Sequence, residues 1–452
     1  MFDDRKSLET SPAHAVALDC LEAGIRGADP ETATASAVTA DDTQLRIGDQ
    51  SLDPDEFDRV LVLGGGKAAA GVVRALEAEF GDVLVDGLVV VPADSPDAGT
   101  QIGPVEVAPG GHPVPSAEGT AATRRMLDLA QTANERTLVL AVVTGGGSAL
   151  LATPAGELTV EDLQQVTRKL LDAGADITAI NAVRKHLSAV KGGRLAAACD
   201  PATVVGLVVS DVVGDSLPVI ASGPTAPDDT TYADALAVLE RYGIDAPAVR
   251  THLERGVAEE YPETPGPDDP CFEGVRNHIV ASNRTAIDAA ATAAAEHGFA
   301  PCVLSTRVQG DAAAAAPTHV AIAREVAASG DPLDPPAVLL SGGETTVDIS
   351  DTDDPGVGGP NLEFALAAAL ELWGTGSPGP VITAVDTDGR DGSTDAAGAL
   401  VDADTVDTLE AAQNALAHHD SLPYLTERDA VLRTDPTGTN VDDLRVVVVP
   451  DS

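Results

Sequence analysis

Short, continuously apolar runs alternate along the chain with Ala-rich, mixed-polarity stretches. The runs "RVLVLG" (59–64), "GLVVVPA" (87–93), "RTLVLAVVTG" (136–145) and "TVVGLVVSD" (203–211) lack the apolar–polar alternation of a half-exposed strand. They read as strands of a parallel sheet covered on both faces. Between them, "AEGTAATRRMLDLAQTA" (117–133) and "TVEDLQQVTRKLLDAG" (159–174) space their apolar residues as amphipathic helices. In the second, Thr159 is placed to cap, with Asp162 three positions on. Strands alternating with helices predict a doubly wound α/β domain.

The pattern breaks over 243–276, where "YPETPGPDDPCFEG" is rich in Pro, Gly and acids and reads as a linker or surface loop. Alternation then resumes through "NHIVAS", "APCVLST", "PAVLLSGGETTVDIS", "GPVITAV" and "LRVVVVP", with Ala-rich helices over 289–296 and 312–316. The expected organisation is a larger, Rossmann-like doubly wound N-terminal domain (1–258) and a smaller α/β C-terminal domain (259–452).

Charge changes the picture of the surface. There are 72 Asp+Glu against 27 Lys+Arg, a net −45, and the acids are dispersed rather than confined to a tail. A disordered acidic chain would lack the repeated apolar runs, so the expectation is a folded protein with an acidic surface suited to a halophile's cytosol, where salt screens self-repulsion. Such a balance argues against a nucleic-acid partner, whose phosphates need basic patches. Cys20, Cys199, Cys271 and Cys302 form no CxxC pair, so neither a zinc site nor a disulfide framework is suggested. No positively charged leader with an apolar core opens the sequence, and no uncharged apolar run of ~18 residues appears. A cytoplasmic protein with no membrane partner is expected.

Sites in open α/β sheets form at the carboxyl ends of strands, and four such ends carry chemistry. In "LGGGKAAAG", Gly64, Gly66 and Ala69 match G-x-G-x-x-A, the dinucleotide fingerprint, with Asp94 as a late acidic partner. Gly64, Gly65 and Gly66 before a helix, with Lys67, equally suit a phosphate. The segment "VVTGGGSALL" offers Gly145, Gly146 and Gly147 as a second anion cradle; Ser148 fails the nucleophile-elbow pattern, because Leu150 stands where glycine is needed. "NAVRKHLSAVKGGRLA" holds a basic island of Arg184, Lys185, Lys191 and Arg194, and three of the chain's five lysines (Lys67, Lys185, Lys191) lie in these glycine-flanked segments. Finally, Asp211 and Asp215 follow one apolar run, and Asp386, Asp388 and Asp391 another. Carboxylates so placed suit Mg²⁺, which takes one or two of them together with substrate phosphates. Two glycine cradles, a few cations and clustered acids fit phosphoryl transfer, which needs positioning and charge neutralisation.

The segments "LGGGKAA", "TGGGSALL", "NAVRKHLSAVKGGRLA", "SDVVGDSLPVIASGPT", "SGGETTV" and "TDGRDGSTDAAGA" together resemble class II glycerate kinases, the glycerate 2-kinases, and the later part resembles their C-terminal MOFRL domain (about 336–448). The resemblance runs from about residue 12 to 448. It implies ATP- and Mg²⁺-dependent phosphorylation of the 2-hydroxyl of D-glycerate, at a site in the cleft between two domains. It also implies a catalytic lysine, which maps to Lys67, and an arginine in a Gly-Gly-Arg-Asn segment. Here that segment reads "GGPNLEF", with Pro360 in the arginine's place, so Arg390 or Arg184 is the remaining source of that charge. The resulting expectation is catalysis by Lys67, Asp211 and Arg390, nucleotide on the two glycine loops, glycerate on Ser148, Arg184 and Lys185, and metal on Asp386 and Asp388. A monomer or homodimer is expected. The alternatives are an NAD(P)-dependent hydroxypyruvate reductase, supported by the G-x-G-x-x-A match and Asp94, and a non-catalytic sensor of a sugar acid or phosphate.

Overall fold

The computed structural model describes residues 1–40, 44–81, 84–350, 355–376 and 379–451. The chain divides into two compact units, Pro30–Val280 and a discontinuous one made of Met1–Asp29 with Ala281–Ser452. This differs from the division at 258/259 read from the sequence. The Pro/Gly/acid-rich segment is not a linker: it contains the helix Pro247–Val257 and runs on into a strand of the first unit's own sheet.

In the Pro30–Val280 unit, β1 (Val38–Ala40), β2 (Leu45–Ile47) and β3 (Gln50–Leu52) form a small antiparallel sheet. The main sheet contains β4 (Arg59–Gly65), β5 (Leu84–Pro92), β6 (Thr100–Ile102), β7 (Val105–Gly110), β8 (Thr137–Thr144), β9 (Thr203–Val209) and β10 (Val275–Ala281), in the order β10-β9-β8-β4-β5-β7-β6. The four apolar runs of the sequence are β4, β5, β8 and β9, and their mutual pairings are parallel. Every residue of β8 is buried, as expected of a strand covered on both faces. On one face Leu61, Leu63, Val90, Val139 and Ala141 pack with Met126 and Ala130 of the helix Ala117–Ala130. The helix Val160–Asp172 starts in the capping box that Thr159 and Asp162 predict, and buries Leu163, Val166 and Leu170.

In the other unit, β11 (Ala300–Asp311), β12 (Ala337–Thr346), β13 (Val381–Asp386), β14 (Gly398–Val401), β15 (Val431–Leu432) and β16 (Asp443–Val449) form a mixed sheet in the order β11-β12-β16-β13-β14-β15. Its faces are covered separately. Val446 and Val448 face the N-terminal helix (Pro12–Gly27) through Leu18, Leu21 and Ile25, and the helix Asn283–Glu296 through Ile287 and Ala290. Val447 and Val449 face the helices Ala312–Ser329 and Pro360–Leu372. Cys20 and Cys199 are buried, Cys271 and Cys302 are half-buried, and all four are free thiols. Among the described residues no helix is long and apolar enough to cross a membrane.

Candidate active site

The order of the main sheet reverses beside β4. From β4 the chain steps outward through β5 and β7, then returns to β8 on the other flank of β4 and continues to β9. At such a switch point the loops leaving the carboxyl ends of neighbouring strands part to opposite faces and leave a crevice. The two glycine loops are those loops.

The first loop is pressed against its neighbour. Gly64 and Gly66 have φ of 144° and 137°, and a Cβ on them would lie 1.9 Å from the Val142 carbonyl oxygen and 2.0 Å from Thr144 Oγ1. Only glycine fits there. The Gly66 N–H donates to the Val90 carbonyl (3.0 Å) and the Lys67 N–H to that of Gly145 (2.8 Å). The Ala68 N–H donates to Thr144 Oγ1 (3.2 Å). Three of the amides expected to cradle an anion are therefore used within the protein, and what this loop presents is the exposed Lys67 side chain.

The second loop is the floor on which side chains converge. Gly146 has φ 77°, and a Cβ there would lie 3.1 Å from Lys67 Cγ and 3.2 Å from His112 Nε2; at Gly145 it would lie 2.1 Å from Asp211 Oδ2. Asp211 stands just beyond β9, the next strand in the sheet. Its carboxyl is pushed above the usual range by burial, opposed by the Lys67 charge and by the Gly146 N–H. His112, on the turn after β7, is held below the usual imidazole range by burial and then by Lys67. Ser148 Oγ lies 2.9 Å from Ser222 Oγ, which itself donates to Asn181 Oδ1 (2.9 Å). Ser148 therefore has a hydroxyl partner and, among the described residues, no general base. The Ser222 turn is strained: Ala221 and Ser222 have φ of 51° and 62°, left-handed values that cost about 1–3 kcal/mol each outside glycine.

The basic island separates into two pairs. Lys185 Nζ donates to buried Asp228 Oδ1 at 3.0 Å. Arg194 donates to the carbonyls of Lys185 (3.0 Å) and Ser188 (2.9 Å). Both hold the local fold, so Lys185 does not stand free to clamp a substrate as its position in the sequence suggests. Arg184 and Lys191 instead line a cavity of about 30 Å³ together with Ser148 and Thr167.

The remaining predicted residues lie in the other unit. Asp386 closes β13, its carboxyl pushed well above the usual range by burial and then by Asp388, Asp443 and Asp391. Asp388 accepts the Arg390 backbone N–H at 2.8 Å, while the Arg390 side chain is exposed. Asp391 caps the helix that begins at Pro360, accepting the N–H groups of Asn361 (2.9 Å) and Leu362 (2.8 Å). A cavity of about 530 Å³ opens beside Asp386, Asp391, Glu363 and Pro360. Among the described residues no group of three or more His, Cys, Asp or Glu is placed to hold a metal ion.

His112, Asn181 and Ser222 were not singled out by sequence reasoning. His112 carried one signal, its place in the glycine- and proline-rich turn "PGGHP"; the other two are joined to Ser148 only by the fold.

Residues 16–254 match the family described as "Domain of unknown function (DUF4147)", and 337–443 match the MOFRL family. The chain is 38% identical over 450 residues to a protein of Pyrococcus horikoshii named glycerate 2-kinase, covering 96% of this chain and 98% of that one. It is 40% identical over 401 residues to a putative hydroxypyruvate reductase of Agrobacterium vitis, covering 86% of this chain and 87% of that one. The crystal structure of a glycerate kinase from Thermotoga maritima superposes with a TM-score of 0.84 at 37% identity, covering 96% of this chain and 99% of that one. With both domain models matched in order, and glycerate kinases matched over nearly the whole length, the chain belongs to the DUF4147–MOFRL family of glycerate 2-kinases.

Proposed function

We infer that the chain transfers the γ-phosphoryl group of ATP to the 2-hydroxyl of D-glycerate, yielding 2-phosphoglycerate and ADP. The observation that carries this reading is the convergence of Lys67, the Gly145–Gly147 turn and Asp211 at the switch point of the sheet. Lys67 neutralises charge on the transferred group, a role that stabilises a phosphoryl-transfer transition state most where water is excluded. Asp211, beside Lys67 and raised by burial, accepts the proton of the attacking hydroxyl. The glycine turn brings backbone close to the phosphates, and Arg184 and Ser148 orient the acid.

Asp386, its proton affinity raised by burial and then by the neighbouring Asp388, fits a divalent cation. Asp386 and Asp388 would hold Mg²⁺, which supplies charge neutralisation when bound.

The reductase reading fares worse on one specific observation. A dinucleotide fingerprint delivers its pyrophosphate to the amides of the first glycine loop, and here those of Gly66 and Lys67 are bonded to Val90 and Gly145. The direct test is purified protein in molar KCl with ATP, Mg²⁺ and D-glycerate, coupled to enolase, which consumes 2- but not 3-phosphoglycerate. Sustained coupled turnover is expected. Oxidation of NADH by hydroxypyruvate without kinase turnover would reverse the assignment.

A further inference from the structure

Arg184 and Lys191 are anomalous in this molecule. Carboxylates outnumber cations 72 to 27, yet among the described residues the small cavity these two side chains line contains no acid: its walls are Ser148, Thr167 and apolar residues such as Pro113 and Leu163. Lys191 is 2% exposed, and among the described residues its ammonium group donates to a single neutral acceptor, the Leu151 carbonyl (2.8 Å). Its stem is fixed from the backbone, since the Lys191 N–H donates to Ser188 Oγ (3.3 Å) and the Gly192 N–H to the Ser222 carbonyl (3.0 Å). Buried charges are normally paired, because desolvation is costly. Arg184 and Lys191 are instead held facing a cavity of about 30 Å³, room for a small polar group but not for a nucleotide.

The cavity adjoins the phosphoryl-transfer corner. Ser148 lines it, and Gly146, two residues earlier, packs against Lys67. Two residues span at most ~7 Å, which is within the reach of a three-carbon acid.

We propose that Arg184 and Lys191 together form the recognition pocket for the carboxylate of the substrate, restricting the enzyme to small hydroxy acids and excluding neutral polyols. This rests on the glycerate kinase reading and assigns to Lys191 the role that the sequence suggested for Lys185. Lys191 is pushed down to about 7 by burial and then by Arg184. Arg184 is the only charged residue that faces it across the cavity among the described residues. A bound carboxylate restores the ammonium proton. D-glycerate therefore binds with proton uptake, and its affinity falls as pH rises above about 7.

The test is calorimetric titration of D-glycerate without nucleotide, in buffers of different ionisation enthalpy, alongside KM measurements for both substrates. Arg184→Met and Lys191→Met should each weaken D-glycerate by about 10–100-fold, the loss expected for a charged hydrogen bond, and leave the KM for ATP unchanged. Lys191→Arg should retain binding and lose the pH dependence, since a guanidinium stays charged. The uncharged amide of D-glycerate should not bind the wild-type protein. Unchanged D-glycerate affinity in both Met variants, or tight binding of the amide, would overturn the pocket and leave the kinase standing. Absent glycerate turnover by the wild-type protein would instead remove the kinase reading. Should Lys191→Met fail to fold, Arg184→Met and the pH profile of Lys191→Arg decide by the same readouts.

Discussion

At the residue scale the chain distinguishes its few cations by what they face. Lys67 is exposed over the glycine floor, Lys185 is paired with Asp228, and Lys191 is buried beside Arg184. Lys67 was legible because lysine is so rare in this sequence and this one interrupts a glycine run. The choice between Lys185 and Lys191 was not. Arg184 and Lys185 are neighbours on the helix Ile177–His186, where consecutive residues point ~100° apart, so one reaches the cavity and the other turns to an acid 43 positions away. Lys67→Ala should lower kcat with ATP and D-glycerate by about 10²–10³-fold, the usual cost of losing one preorganised group that stabilises transition-state charge, with the melting temperature unchanged. A steady-state assay beside a thermal melt checks this, and near-normal kcat would remove Lys67 from the chemistry.

At the element scale the continuous apolar runs announced β4, β5, β8 and β9, and the Thr159–Asp162 pair announced a helix start, because both signals are local. What the glycines do was not local. Gly64 and Gly66 permit contact between β4 and β8, strands separated by more than seventy residues, and their amides serve that contact rather than a ligand. Gly145 shows the same dependence on a distant strand. A methyl group there would lie 2.1 Å from Asp211 Oδ2, closer than any real contact, so the carboxylate must move. Gly145→Ala should therefore cut kcat by about 10²-fold, as expected for displacing a proton-transfer group. The loop itself should stay folded, since Gly145 carries none of the positive φ values found at Gly146. Kinetics and circular dichroism of the variant together check this, and unimpaired turnover would show that Asp211 is dispensable.

At the scale of the whole molecule, the net charge of −45 predicts a stability that depends on salt. Counter-ions screen the mutual repulsion of surface acids over a Debye length of ~10 Å at 0.1 M and ~3 Å at 1 M. The melting temperature should therefore rise between dilute buffer and molar KCl, and a flat profile in differential scanning calorimetry would contradict the salt dependence expected from this charge. The division into units shows where sequence reasoning stops. Nothing local to the helix Pro12–Gly27 says that Leu18, Leu21 and Ile25 pack under Val446 and Val448 at the other end of the chain. The sequence by itself determined the α/β class, the strands buried on both faces, the order of six motifs and the scarcity of lysine, because these are properties of neighbouring residues and of composition. Only the tertiary structure decided that the N-terminal helix belongs with the C-terminal sheet and that the first glycine loop uses its amides internally. It alone separated Arg184 and Lys191 from Lys185 and Arg194. Each of these outcomes depends on which distant group satisfies a buried face, amide or charge, and that partner is chosen by the fold.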